Sequence, residues 1–68
     1  MKILLNGNEM HLHEGTTLGA VLRERDITER TDGVAVAVNA AVVPRRQWPD
    51  LHLHDGDTIE VIHAVQGG

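Results

Sequence analysis

The sequence contains no cysteine, phenylalanine, tyrosine or serine. Without cysteine there is no disulfide framework, no thiolate zinc site and no sulfur nucleophile, and without serine there is no serine triad. No apolar run approaches the roughly 20 residues that cross a bilayer. The first residues form too short an apolar run for a secretory signal. These absences are compatible with a cytoplasmic protein, which is the location we expect.

The chain is also poor in positive charge. Its 68 residues include 6 Lys and Arg against 10 Asp and Glu, for a formal net charge of −4. General binding of nucleic acid needs a basic face, and Arg45 and Arg46 beside Trp48 are too small a patch to provide one. An acidic domain is better suited to a protein partner that carries positive charge. We expect the arginines to be solvated or to face a partner.

The order of apolar segments predicts a single α+β domain. Asn6-Gly7 ends the first apolar run, and this dipeptide is the strongest short hairpin signal because both residues tolerate positive φ. Thr16 and Thr17 are suitable N-caps for a helix. Met10 and Leu12 alternate with polar residues, as in a half-solvated strand. The predicted strands are 2–6, 9–13, 34–39, 42–43 and 58–64, and the predicted helix is about 18–26.

These elements predict a β-grasp architecture with a mixed sheet of four to five strands and one main helix packed on one face. The helical crossover allows the first strand to pair in parallel with a later one. The continuous apolar run 3–5 indicates a central first strand, next to the last strand. We also expect a tight turn at 40–41 and an irregular segment at 45–50, with Trp48 covering one end of the core. The domain should comprise residues 1–64, followed by a flexible tail, 65–68.

The pair Gly67-Gly68 is the most informative feature of the tail. At a glycine frequency of about 7%, such a pair falls at one fixed place in roughly 0.5% of chains. Glycine has no Cβ, so the backbone can pass through a narrow channel. Four residues beyond Ala64 reach about 13 Å at full extension. The alternative is that the chain is an interaction module whose C-terminal residues have no chemical role.

A terminal carboxylate at Gly68 would be an anion at neutral pH. It can attack the α-phosphate of ATP to form an acyl-adenylate, whose carbonyl is open to an amine or a sulfur donor. The chain has no P-loop and no GxGxxG motif, so a separate enzyme would have to activate the carboxylate. A self-contained enzyme is therefore not expected.

The histidine pairs and an Asp-Gly-Asp segment are weaker candidates for sites. Histidines spaced i, i+2 on a strand can chelate a metal, but no third ligand is evident, so we expect solvent-facing side chains and no metal site. Asp-Gly-Asp at 55–57 is more typical of a turn than of a catalytic carboxylate pair. The histidine pairs are His11/His13 and His52/His54.

Several short segments are weak individually and specific in combination. They are Met-Lys-Ile-Leu-Leu-Asn-Gly at 1–7, Glu-Gly-Thr-Thr-Leu at 14–18, Gly-Val-Ala-Val-Ala-Val-Asn at 33–39, Val-Val-Pro-Arg at 42–45 with Trp48, Asp-Gly-Asp at 55–57, and Ala-Val-Gln-Gly-Gly at 64–68. With these segments the chain resembles the ThiS family over essentially its full length. It departs from the family in its Ala40-Ala41 turn and in Gly19, which should weaken the helix by roughly 0.5–1 kcal/mol.

The resemblance implies a ubiquitin-like β-grasp fold and a role as a sulfur carrier. A ThiF-like enzyme would use ATP to adenylate the Gly68 carboxylate, and a sulfur donor protein would convert it to a thiocarboxylate. A ThiG-like thiazole synthase would then receive the sulfur for the thiazole ring of thiamin. In that family Gly67 would give a slim approach for the carboxylate, and we expect Gln66, Val65 and Ala64 to enter the partner's active site with it because they are close to it in the chain. The carrier itself would bind no cofactor and catalyse no reaction.

Two other functions would use the same carboxylate. A MoaD-like carrier would supply sulfur for molybdopterin synthesis, and a ubiquitin-like modifier would be joined to lysines of other proteins. The short length and the Ala-Val-Gln-Gly-Gly ending favour the ThiS family over the MoaD-like carrier. The residues alone separate a carrier from a modifier poorly.

Overall fold

The computed structural model describes residues 1–64, which form five strands, one α-helix and one short 3₁₀ helix. The strands are β1 (Lys2–Leu5), β2 (Asn8–His11), β3 (Val34–Val38), β4 (Ala41–Val42) and β5 (Thr58–His63); the α-helix is α1 (Leu18–Arg23), and the 3₁₀ helix is Arg45–Gln47. Within these residues no helix is long and apolar enough to cross a bilayer.

The strands form one mixed sheet in the order β2-β1-β5-β3-β4. β1 and β5 run parallel, with Leu4 opposite Thr58 and Leu5 opposite Ile59, and the other pairs are antiparallel. The parallel pair is possible because the chain crosses over through α1 between the two strands. The predicted β-grasp sheet, with the first and last strands adjacent in the middle, is confirmed.

The core lies between α1 and one face of the sheet. Side chains alternate between the two faces of each strand, so every second residue of β1, β3 and β5 points toward the helix. The most deeply buried of these sheet residues are Ile3, Leu5, Val36 and Ile59, and they pack with Leu18, Val21 and Leu22 of the helix. Trp48 belongs to the same core and is 1% exposed. Its indole N–H donates to the carbonyl of Val43 at 3.0 Å.

Helix α1 is shorter than the predicted 18–26. Thr17 caps its start, since the Thr17 hydroxyl accepts the N–H of Ala20. It ends at Arg23 because Asp26 adopts a left-handed φ of +60°, a conformation that closes helices. The N–H of Ile27 then donates to the carbonyl of Leu22 at 3.0 Å, and Ile27 turns into the core.

The turn before β4 lies one residue earlier than the predicted 40–41. Asn39 and Ala40 have positive φ values of +51° and +69°, so they occupy the turn and β4 begins at Ala41. Asn tolerates positive φ better than most residues. Its side-chain oxygen also accepts the N–H of Thr58 at 3.0 Å, and its amide donates to the Asp57 carboxylate at 2.9 Å. These contacts with the start of β5 hold the turn at Asn39.

Gly19 is required by a close contact between the helix and the 48–49 backbone. Its N–H donates to the Trp48 carbonyl at 2.7 Å. A Cβ at this position would lie 2.9 Å from Cα of Pro49 and 3.1 Å from the Trp48 carbonyl oxygen. Glycine therefore lowers the helix propensity of α1, but it allows the helix backbone to approach the backbone of Trp48 and Pro49 more closely than any residue with a Cβ could.

We expect Gly19→Ala to destabilise the protein. Helix propensity alone would favour alanine by about 1 kcal/mol, but displacing the Pro49 backbone should lower the free energy of unfolding by about 1–3 kcal/mol. Urea denaturation followed by circular dichroism measures the difference. Ala20→Gly, at the adjacent exposed position, is the matched control and should cost only the propensity term. A Gly19→Ala variant more stable than the native chain would contradict the packing explanation.

Candidate functional site

The candidate site lies at the end of β5, the central strand of the sheet. β5 pairs with β1 on one side and with β3 on the other. Asn6 extends the β1 side of this pairing beyond the end of β1: its side-chain oxygen accepts the N–H of Val61 at 2.8 Å, and its amide donates to the Val61 carbonyl at 3.3 Å. The strand that leads to the C-terminal residues is therefore held on both sides.

Ala64 is the last described residue, and Gly33 holds its backbone. The Ala64 N–H donates to the Gly33 carbonyl at 2.6 Å, one step beyond the paired residues Val34 and His63. Gly33 has a φ of +73°, and a Cβ there would lie 3.8 Å from the Cβ of Ala64. The strand ends at His63 rather than at the predicted residue 64, but this hydrogen bond continues its ladder. The last described residue of the chain is thus fixed beside Gly33.

Of the predicted site residues, only Ala64 is placed, and it is exposed. Gly68, Gly67, Gln66 and Val65 lie outside the described residues. Modification of the Gly68 carboxylate and entry of the tail into a partner's active site therefore stay predictions.

Arg45 is bound within the domain, so the prediction that it is solvated or faces a partner is wrong. Its guanidinium lies over the Trp48 ring, 5.2 Å from the ring centroid. Nη1 donates to the carbonyls of Glu29, at 3.2 Å, and Thr31, and Nη2 donates to the carbonyl of Val34 at 2.5 Å. Arg45 thereby ties the 3₁₀ helix to the connector 28–33. The sequence offered only a weak signal for this role, an arginine after a proline.

The sheet face opposite α1 carries exposed apolar side chains near the site. Val42 is 75% exposed and Ile62 is 54% exposed. Ala35 lies opposite Ile62 in the β3–β5 pair, and paired residues share a face. A depression of about 280 Å³ is lined by Gly33, Val34, Ala35, Arg45, Ile62 and Ala64. Ile62 lines this depression together with Ala64, so it offers apolar contact area beside the end of β5.

The Asp-Gly-Asp segment forms a turn, as predicted. The Asp57 carboxylate accepts the backbone N–H of His54 at 2.8 Å. The Asp55 carboxylate accepts the backbone N–H of Lys2 at 2.7 Å, and Gly56 has a φ of +88°. Both carboxylates therefore satisfy backbone donors and shape the entry into β5.

The histidines of the two predicted pairs are exposed. Within residues 1–64, no group of three or more His, Cys, Asp or Glu side chains is placed to hold a metal ion. The exposed pairs are His11/His13 and His52/His54.

Within residues 1–64, the strand order and the one α-helix packed on one face of the sheet define a ubiquitin-like β-grasp fold. A solved structure shares this fold over its whole length: the crystal structure of the thiamine biosynthesis protein ThiS from Geobacter metallireducens superposes with a TM-score of 0.79. The two chains are 23% identical, and the match covers 100% of each.

Sequence comparison identifies the family. The profile of the ThiS family matches residues 3–68. The sulfur carrier protein ThiS of Escherichia coli (strain K12) is 37% identical over 68 residues, which cover 100% of both chains. The chain belongs to the ThiS family. The thiazole synthase of Paramagnetospirillum magneticum is 32% identical over 68 residues, which are 100% of this chain and 20% of that protein.

Proposed function

We propose that the chain is a sulfur carrier protein of thiamin biosynthesis that carries sulfur as a thiocarboxylate on Gly68. The observation that carries the proposal is the similarity to the Escherichia coli sulfur carrier over the whole of both chains. The fold agrees with this role, because its central strand leads into the segment that ends in Gly67-Gly68. Ala64 gives that segment a defined origin through its hydrogen bond to Gly33.

The proposed chemistry takes place on the carboxylate of Gly68. A carboxylate oxygen attacks the α-phosphorus of ATP, pyrophosphate leaves, and an acyl-adenylate forms. Hydrosulfide delivered by a sulfur donor protein then attacks the acyl carbon, AMP leaves, and the proton of the hydrosulfide is lost to solvent. The product is a thiocarboxylate. Gly67 has no Cβ, so the backbone beside the reacting group can pass through a narrow opening.

The activating machinery belongs to a partner. The chain contains no P-loop and no GxGxxG motif, so a ThiF-like enzyme binds the ATP and performs the adenylation. The carrier is thus a substrate of that enzyme and a co-substrate of the next one. It needs no bound cofactor of its own, and we place it in the cytoplasm with these enzymes.

The proposed acceptor of the sulfur is a ThiG-like thiazole synthase. The thiazole synthase of Paramagnetospirillum magneticum contains, within one polypeptide, a segment similar to the whole of this chain. Joining a carrier segment to a synthase raises the effective concentration of the carrier at the synthase. This arrangement supports the proposal that the two act together. The exposed Val42 and Ile62 provide apolar contact area on the carrier's side.

Intact-mass spectrometry tests the proposal. Incubation of the chain with ATP, a ThiF-like enzyme and a sulfur donor protein should give the mass gain for exchange of one oxygen for one sulfur. The control reaction without ATP should leave the mass unchanged. Covalent conjugates to other proteins would instead support the modifier function. An unchanged mass in the complete reaction would overturn the carrier assignment.

A further inference from the structure

We propose that Arg45 is a positioning residue for the reaction at the C-terminus. By holding the carbonyls of Thr31 and Val34 on either side of Gly33, Arg45 fixes the carbonyl that receives the Ala64 N–H. It thereby sets the point from which residues 65–68 leave the domain. This inference rests on the proposed function and adds a residue that touches neither ATP nor the reacting carboxylate.

The connector 28–33 has few other attachments. Among the hydrogen bonds within residues 1–64, those that join it to the rest of the domain run to Arg45 and Ala64. Its remaining hydrogen bonds are local, between Thr28 and Arg30 or Thr31. Most of its residues are exposed, so packing restrains it little. The Arg45 guanidinium is therefore the contact that orients the connector relative to the core.

The shape of arginine suits this task. A planar guanidinium carries five N–H donors in a fixed fork, whereas a lysine ammonium is a compact point charge. The fork reaches the carbonyls of Glu29, Thr31 and Val34 at once. The Trp48 ring beneath it is part of the core and restrains the plane of the guanidinium. A continuous set of contacts thus runs from Trp48 through Arg45 and the connector to Ala64.

A fixed origin matters because the tail must reach into another protein. Binding is weakened when a segment has to be ordered on association, and preorganisation reduces that cost. A loosened exit should therefore impair productive binding of the tail. It should not slow the chemical step once the carboxylate is seated, so the defect should appear in KM and leave kcat unchanged.

Two matched variants test this inference. Arg45→Met removes the guanidinium and keeps an unbranched apolar stem. Arg46→Met makes the same change of charge at the neighbouring residue, which is exposed. The first readout needs no partner: hydrogen exchange of the Ala64 amide, followed by NMR, should be about 10-fold faster in Arg45→Met and within about 2-fold of native in Arg46→Met. The second readout is adenylation kinetics, in which Arg45→Met should raise KM by about 10-fold at unchanged kcat.

Each contrary outcome is distinct. Native exchange of the Ala64 amide in a folded Arg45→Met variant would overturn the inference. Equal changes of KM in the two variants would indicate a general charge effect and would also overturn the inference. A loss confined to kcat would overturn it as well. Failure of the native chain to be adenylated would overturn the proposed function, while the exchange measurement would still decide whether Arg45 controls Ala64.

If Arg45→Met does not fold, a second pair at Gly33 replaces it. Gly33 has a φ of +73°, which Asn tolerates and a β-branched residue does not. Gly33→Val should therefore accelerate exchange of the Ala64 amide and raise KM, and Gly33→Asn should change both much less. Equal behaviour of the two Gly33 variants would overturn the inference.

Discussion

Deletion of Gly68 is expected to abolish sulfur loading while leaving the fold intact. The deletion draws the terminal carboxylate back by one residue, about 3.3–3.6 Å of extended chain. A misplacement of 1 Å at a reacting centre can cost about 100-fold in rate, so we expect adenylation to fall by at least about 100-fold. Release of pyrophosphate in the presence of ATP and a ThiF-like enzyme measures the first step. Intact-mass spectrometry measures the second step, the replacement of oxygen by sulfur.

Two comparisons make the deletion interpretable. Gly68→Ala keeps the carboxylate at the same distance along the chain and adds only a methyl group, so its loss should be much smaller. The thermal unfolding midpoint of the deletion variant should match that of the native chain, because the buried core lies within residues 3–59. A deletion variant that accepts sulfur at the native rate would refute the assignment of Gly68 as the modified residue.

Trp48→Ala is expected to cause the largest loss of stability. Trp48 is the largest of the fully buried side chains, and its indole N–H bonds the Val43 carbonyl. Replacing a buried Trp by Ala typically costs about 3–5 kcal/mol. The whole free energy of unfolding for a domain of this length is on the order of 3–10 kcal/mol. The variant should therefore be partly or wholly unfolded near room temperature.

Circular dichroism is the appropriate measurement, because Trp48 is the only aromatic residue and its fluorescence is lost with it. Trp48→Phe is the control: it keeps most of the apolar volume but leaves the Val43 carbonyl without its donor. Its cost should be about 1–3 kcal/mol, as expected for an unpaired buried polar group. An unchanged urea midpoint for Trp48→Ala would show that the indole contributes little to the core.

Several features that were predicted correctly depend on local chemistry or on the order of segments along the chain. Asn6 and Gly7 adopt positive φ values of +48° and +83° and form the expected hairpin turn. Met10 and Leu12 are half-buried between exposed neighbours, as the alternation over residues 9–13 indicated. The parallel pairing of β1 and β5 followed from a helical crossover and a central apolar first strand. Each of these inferences needed only the conformational preference of a residue, the periodicity of a short segment, or the order of segments along the chain.

Two roles that the sequence did not reveal depend on residues distant in the chain. Gly19 appeared to be a weak point of the helix, but its contact partners are Trp48 and Pro49. Arg45 appeared to be a surface charge, but it binds carbonyls of residues 29–34. Composition and residue spacing do not show which distant segments lie close together in the folded domain, so they could not reveal either contact.

For the site, residue types alone led to the hypothesis that a glycine carboxylate reacts, because the chain has no cysteine, no serine and no nucleotide-binding loop. That inference is possible because reactivity belongs to the functional group. The direction in which the chain approaches a partner is a different kind of property. The proposed origin of that approach involves contacts between residues distant in sequence: the Ala64 N–H meets the Gly33 carbonyl, and the Arg45 guanidinium meets the carbonyls of Thr31 and Val34, only in the folded domain.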